Sequence, residues 1–470
     1  MSAKNPIDVL YEPQSIAIIG AKKRAFSFGA GLPRFLLDIG VAPERLHLVN
    51  PRETEIEGLR VYPTVRDVPV EVDLAIVVVP APAVLGVLES CVEKGVAVVN
   101  LQSAGFAEVG AEGAKAQEEM GRLARESGIR IIGPNCVGVV NVPGRFATCE
   151  VDLDAIRPGG ISVVAQSGVF GNVLMDWAPS QDIALGKLAT IGNRADIDET
   201  DMLEYLSQDP ATRVIVMYLE SVKNGRRFLE AARRASLEKP VLVYKSGETE
   251  AGKKATMSHT GSLSGADAIF DGACRQAGVI RARDLLELFD MARAFEACPL
   301  PRGRRVLVVT GSGSQGAMAA DRLVQCGMEL PEMTAESVAE LREQAPGWMN
   351  VGNPLDIGPS GLFALGMKLA MTDSQFDAVI SVPIAPWKVI EPALERDPEA
   401  MIGQKYIDPA LIDEAADRTL LVTSMGHPDW VKKVKSFFGP RAPVMTTPQN
   451  AARALAAMSE YREWREARSV

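Results

Sequence analysis

The chain has 470 residues, with 50 Lys+Arg against 60 Asp+Glu, a formal net charge of −10 and only 3 histidines. That length suggests about three domains of ~150 residues each. The acidic balance argues against a general nucleic-acid binder or a binder of anionic membranes, although a local basic patch can still hold a phosphate, and the scarcity of histidine argues against a His-rich metal site.

Taken in chain order, the dominant unit is a short β-branched strand, a turn of small residues, then an amphipathic helix, which predicts doubly wound parallel sheets of α/β class. The first series of strands is expected at Ile16–Ile19, Leu46–Val49, Leu74–Val79, Val96–Leu101 and Arg130–Ile132. The run Leu74–Leu88 is apolar and uncharged, but it contains Pro80 and Pro82 and falls short of the ~20 residues that span a bilayer. The N-terminus shows no apolar stretch followed by a small-residue cleavage site, so a cytoplasmic protein without a membrane segment is expected. A second series is expected at Ile161–Val164, Leu185–Ile191, Val214–Leu219 and Val241–Tyr244. A third is expected at Val306–Val309, Ala378–Val382, Leu420–Thr423 and Val444–Thr446. Pro/Gly punctuation near 143–160 and 299–303 places the expected domains at 1–143, 144–300 and 301–470. Cys91, Cys136, Cys149, Cys274, Cys298 and Cys326 show no C-x-x-C spacing, so buried thiols are expected rather than zinc or redox motifs.

Each series opens with a strand running into a glycine turn, where ligands of such sheets bind. The first turn, Gly20-Ala21-Lys22-Lys23, lacks the G-x-G-x-x-G fingerprint, because Lys22 stands where a second glycine would let a pyrophosphate approach. A nicotinamide reading is thereby weakened, while Lys22 and Lys23 remain open as phosphate contacts or as a solvated basic loop. Val79-Pro80, Ser103 and Gly133-Pro134-Asn135 follow later strands of the same series and line the same crevice edge.

His47 lies in an apolar strand and His427 in a turn before Pro428, and both read as structural. His259 sits in Ser258-His259-Thr260-Gly261-Ser262-Leu263-Ser264-Gly265, a hydroxyl-rich loop able to expose an imidazole. A neutral imidazole is a competent nucleophile toward phosphoryl groups, given an anion cradle and a carboxylate to orient it. The turns Ser167-Gly168-Val169 and Gly313-Ser314-Gln315-Gly316 offer free helix amides, and Glu220 ends an apolar strand at the carboxyl edge. On these residues alone, a phosphorylatable His259 and a plain loop histidine both stay open.

Pro240–Gly247 followed by Ser258–Gly265, together with Gly133-Pro134-Asn135-Cys136-Val137-Gly138, Gln166-Ser167-Gly168, Gly192-Asn193 with Asp196 and Asp198, and Gly352-Asn353-Pro354-Leu355-Asp356, resembles the α subunit of the ADP-forming acyl-CoA synthetases, relatives of succinyl-CoA synthetase. The resemblance covers nearly the whole chain. It implies a Rossmann-like CoA-binding domain followed by two flavodoxin-like ligase domains. It also implies His259 as the phosphorylated nucleophile, with Glu220 holding its other ring nitrogen. Ser167, Gly168 and Val169 would bind the phosphate, as would Gly313, Ser314, Gln315 and Gly316. CoA would lie against Gly20, Ala21, Lys22, Lys23, Val79, Pro80, Asn100, Ser103 and Asn135. The family's first turn commonly continues Gly-Ala-Ser, where this chain has Lys22. No ATP-grasp module is evident and the residues after Thr446 are too few for one. The resemblance therefore implies an ATP-grasp β-type partner in a hetero-oligomer, carrying ATP/ADP and most of the Mg2+, with inorganic phosphate, a small carboxylic acid and acyl-CoA as the other reactants. No metal site is expected on this chain. A CoA-binding regulatory or scaffold protein without catalysis is the alternative.

Overall fold

A computed structural model describes residues 5–23, 30–260, 266–397 and 417–468, leaving the side chains of 257–260 undescribed. Three sheets carry the fold. The first contains β1 (Ile16–Ile19), β2 (Leu46–Val49), β3 (Glu55–Ile56), β4 (Leu59–Tyr62), β5 (Leu74–Val77), β6 (Val98–Leu101) and β7 (Arg130–Ile132). Its parallel strands run in the order β4-β2-β1-β5-β6-β7, with β3 added antiparallel at the edge. This is the 3-2-1-4-5-6 order of a dinucleotide-binding sheet, whose switch point falls beside β1. Alternate side chains of β1 enter different cores: Ile16 and Ile18 one, Ala17 and Ile19 the other. Burial on both faces is why the strand reads as a continuous apolar run.

The second sheet contains β8 (Val139–Asn141), β9 (Phe146–Ala147), β10 (Pro158–Ala165), β11 (Leu185–Thr190), β12 (Val214–Leu219), β13 (Val241–Lys245) and β14 (Ile280–Arg281). Its parallel part, β11-β10-β12-β13-β14, has the flavodoxin-like 2-1-3-4-5 order, and β8 and β9 extend it antiparallel. The third sheet, β15 (Val306–Thr310), β16 (Leu355–Asp356), β17 (Ala378–Val382), β18 (Thr419–Thr423) and β19 (Val444–Met445), is wholly parallel and repeats that order as β16-β15-β17-β18-β19. The α/β class and doubly wound topologies are those expected. The hairpin β3–β4, the edge strands β8 and β9, and the two-residue strands β14 and β16 carry no long apolar run, and sequence reasoning passed over them.

The chain forms two compact units, Met1–Arg281 and Ala282–Val470. The first two sheets share one unit for two physical reasons. Ile16 and Ile18 belong to the same continuous core as Val164, Ile191, Leu203 and Ile215. The segment 193–197 then pairs with the end of the first sheet: the amides of Asn193, Ala195 and Ile197 donate to the carbonyls of Pro134, Gly133 and Ile131 at 2.9, 2.8 and 3.0 Å. Asp196 seals this seam, its Oδ2 accepting from the Ile131 amide at 2.9 Å and from Arg130 Nε at 2.8 Å. In the second unit, Leu307, Val309, Val379, Leu420 and the fully buried Trp430 form the core.

Candidate functional site

The first turn is built around Gly20. Its φ is +96°, and a Cβ there would stand 2.8 Å from the carbonyl oxygen of Val78, so no L side chain fits. Ala21 is buried and its carbonyl accepts from Asn50 Nδ2 at 2.7 Å, which bends the chain and leaves Lys22 half-buried and Lys23 exposed.

Lys22 stands where two clefts meet. One, of about 600 Å³, runs over Gly20, Asn50, Arg52, Thr64, Val79 and Pro80. The other, of about 500 Å³, shares Lys22, Val79 and Pro80 and continues past Ser103 and Asn135 to Gln166, Ser167, Gly168 and Val169. The carboxyl ends of the first and second sheets therefore line two adjoining clefts, together called the channel below. Ser103 Oγ donates to the Val79 carbonyl at 2.6 Å, tying two walls together. Asn100 is fully buried, donating to Cys136 Sγ at 3.2 Å and accepting from Gln102 Nε2 at 3.1 Å, so it supports two lining residues from behind. Burial pushes the Cys136 thiol up to about 12, and the residue is no thiolate nucleophile. Gly192, Asn193 and Gln102 also line the second cleft, and their role as wall was missed at the sequence level.

At the far end, Ser167 caps the helix Gly168–Trp177, its Oγ accepting from the Phe170 amide. Gly168 and Val169, whose amides precede any intrahelical partner, line the cleft. Gln166, 1% exposed, is oriented by its Oε1, which accepts from the amides of Glu220 at 2.9 Å and Ser221 at 3.1 Å. Glu220 follows β12 directly and is 3% exposed. Beside it, the buried Arg194 pairs with Glu199 at 2.8 Å and donates to the Ser221 carbonyl and hydroxyl at 3.0 and 2.8 Å.

His259 falls on the last turn of the helix Glu250–Thr260, not in a loop. The stretch Glu250-Ala251-Gly252-Lys253-Lys254-Ala255 is rich in helix formers, and Thr249 Oγ1 accepts from the Gly252 amide at 3.1 Å to start it. The imidazole, and with it the expected Glu220 contact, lies outside the described residues. A helix does begin near Ala266, at Asp267–Ala277.

In the second unit, Gly313, Ser314, Gln315 and Gly316 form the first turn of the helix Gly313–Gln325 after β15. The Asp356 carboxylate stands beside this turn, 2.7 Å from where a Cβ on Gly313 would be. His47 is buried in β2, where burial and then Lys94 lower its pKa, and His427 caps the helix Pro428–Phe438. Among the described residues, no group of three or more His, Cys, Asp or Glu is placed to hold a metal ion. No described helix is long and apolar enough to cross a membrane.

Residues 14–142 match the family model for a CoA binding domain, and residues 158–295 match that for a succinyl-CoA ligase like flavodoxin domain. The chain is 35% identical over 468 residues to the α subunit of acetate–CoA ligase (ADP-forming) I of Pyrococcus furiosus, covering 98% of each. The chain belongs to the ADP-forming acyl-CoA ligases. These are acid–thiol ligases, and the enzyme class follows from membership. It is also 38% identical to acetate–CoA ligase (ADP-forming) II of Archaeoglobus fulgidus, over 79% of this chain but only 56% of that longer protein. Among solved structures, the dinucleotide forming acetyl-coenzyme A synthetase 1 of Ca. Korarchaeum cryptofilum, in complex with phosphate and ADP, superimposes with a TM-score of 0.85 at 31% identity, covering 98% of this chain and 97% of that one.

Proposed function

We propose that this chain is the α-type subunit of an ADP-forming acyl-CoA ligase that makes acyl-CoA through an acyl phosphate, with the phosphoryl group carried on His259. The observation that carries the reading is the pair of clefts that share Lys22, Val79 and Pro80, one over the Gly20 turn and the other reaching the Ser167–Gly168 helix start. A CoA molecule laid along these clefts would have its diphosphate near Lys22 and its thiol near the Ser167–Gly168 helix start. That is the arrangement thioester formation from an acyl phosphate needs. Relatives named as α subunits support a partner chain, and we assign to it the ATP-grasp module, the nucleotide and its Mg2+.

The steps balance. A His259 nitrogen attacks the terminal phosphorus of ATP, and ADP leaves. A carboxylate oxygen of the acid takes the phosphoryl, giving the acyl phosphate and freeing the imidazole. The CoA thiolate attacks the acyl carbon and inorganic phosphate leaves. The amides of Gly168 and Val169 would stabilise the phosphoryl oxygens, each charge-assisted bond being worth about 1.5–3 kcal/mol. Glu220 would fix the imidazole tautomer.

The test is to incubate the chain and its partner with ATP labelled in the terminal phosphate and to isolate acid-labile, base-stable label. We expect label and acyl-CoA formation to vanish together in His259→Ala. Label surviving that change would overturn the histidine assignment. CoA binding without any acyl-CoA formation in the complete assembly would favour the scaffold alternative.

A further inference from the structure

We infer that Arg281 is a positioning residue for His259, because one guanidinium holds both ends of the segment that carries the histidine. The inference rests on the proposed role of His259. Glu248 lies just before the helix Glu250–Thr260, and Asp267 opens the next helix, 19 positions on (267 − 248). Arg281, in β14, donates through Nη2 to Glu248 Oε1 at 2.8 Å and to Asp267 Oδ1 at 2.6 Å, and through Nη1 to Asp267 Oδ2 at 3.0 Å. The Asp267 pair is thus bidentate, the geometry that only arginine makes. Asp271 adds a third carboxylate at 3.6 Å.

The arginine is itself fixed. Its side chain is 15% exposed, and its guanidinium lies 5.6 Å from the centre of the Phe270 ring. Lys245 Nζ lies 5.6 Å from the same ring, and this buried lysine donates to the Ser246 carbonyl at 3.1 Å. Exposed ion pairs generally contribute little. This one joins two remote chain positions onto a strand of the rigid sheet, and the residue for the chemistry lies between them. Its proposed work is to set where the helix 250–260 presents its last turn. A misplacement of about 1 Å at a reacting group can cost on the order of 100-fold in rate.

The experiment uses the complete enzyme with its partner and compares Arg281→Ala, Arg281→Lys, Glu248→Gln, Asp267→Asn, the Glu248→Gln/Asp267→Asn double variant and His259→Ala. In Arg281→Ala we expect kcat and the level of acid-labile phosphate to fall by ~10-fold or more, with KM for CoA within about twofold of the parent. Arg281→Lys should recover only part of the loss, since an ammonium lacks the fork. The Glu248 and Asp267 changes should be non-additive, because they share one partner. If Arg281→Ala does not fold, the two carboxylate variants and their double decide by the same readouts. Unchanged kcat, a rise confined to KM for CoA, or strict additivity would overturn the positioning role. His259→Ala that keeps both label and turnover would instead overturn the reading beneath it.

Discussion

At the scale of single residues, the channel depends on a few atoms whose environment sets what they do. Among the described residues, Lys22 is the one cation that lines both clefts, and a charge-assisted contact to a diphosphate is worth about 1.5–3 kcal/mol. Lys22→Ala is therefore expected to raise KM for CoA by roughly 10-fold, with a smaller change in kcat, measured by steady-state acyl-CoA formation. Gly20→Ala acts differently. It forces a side chain into a φ of +96° and against the Val78 carbonyl, so it should lower the stability of the first unit by about 1–3 kcal/mol in denaturant titration. Gly20 and the Ser167–Gly168 helix start were legible in the sequence, because glycine after a buried strand and serine before a helix each have one dominant physical use. The task of Gln166, two amides held by one oxygen, was not legible, since those amides lie 54 and 55 positions away.

At the scale of elements, strands buried on both faces announce themselves as apolar runs, and β1, β2, β12 and β17 were readable to the residue. Edge strands with charged members, such as Glu55 and Arg60 in the β3–β4 hairpin, were not, because half of each strand faces water. The helix that carries His259 was read as a loop from its Ser, Thr and Gly content. The Ala- and Lys-rich stretch before it decided the outcome. The seam between the first two sheets also has a titrating element. Burial pushes the Glu108 carboxyl up, but the Gly105 amide at 2.6 Å and Asn193 Nδ2 at 2.6 Å outweigh it and leave its pKa below the ordinary value. A carboxyl lowered on folding adds stability that is complete above its unfolded pKa of about 4.3 and is lost as pH falls through the folded value. Urea midpoints taken between about pH 3 and 7 should therefore drop at the acid end, and Glu108→Gln should flatten that drop.

At the scale of the whole molecule, the chain divides into two units, and everything proposed to touch CoA lies in the first. A ligand that binds one unit stabilises that unit by mass action, by about 2.7 kcal/mol at 100 times its Kd. Calorimetry with CoA should then move a transition belonging to residues 1–281 and leave that of 282–470 in place. Equal movement of both would mean that the units melt as one. The length and the three strand series made the sheets legible. The grouping of sheets into units was not legible, because it depends on backbone pairing between segments about sixty residues apart, Ile131 with Ile197 and Gly133 with Ala195.

That pairing has a consequence for anyone who exchanges parts between these ligases. The sequence motif of the CoA module ends at 142, yet the segment that hydrogen-bonds along its last edge is 193–197, and Asp196 caps two groups on β7. A cassette cut at 142 would leave that edge bare and the channel without its Asn193 wall. One cut beyond the seam would carry both walls with it. The transferable piece is therefore longer than the module its motif defines, and chimeras joined at the shorter limit should be recovered mainly as insoluble protein.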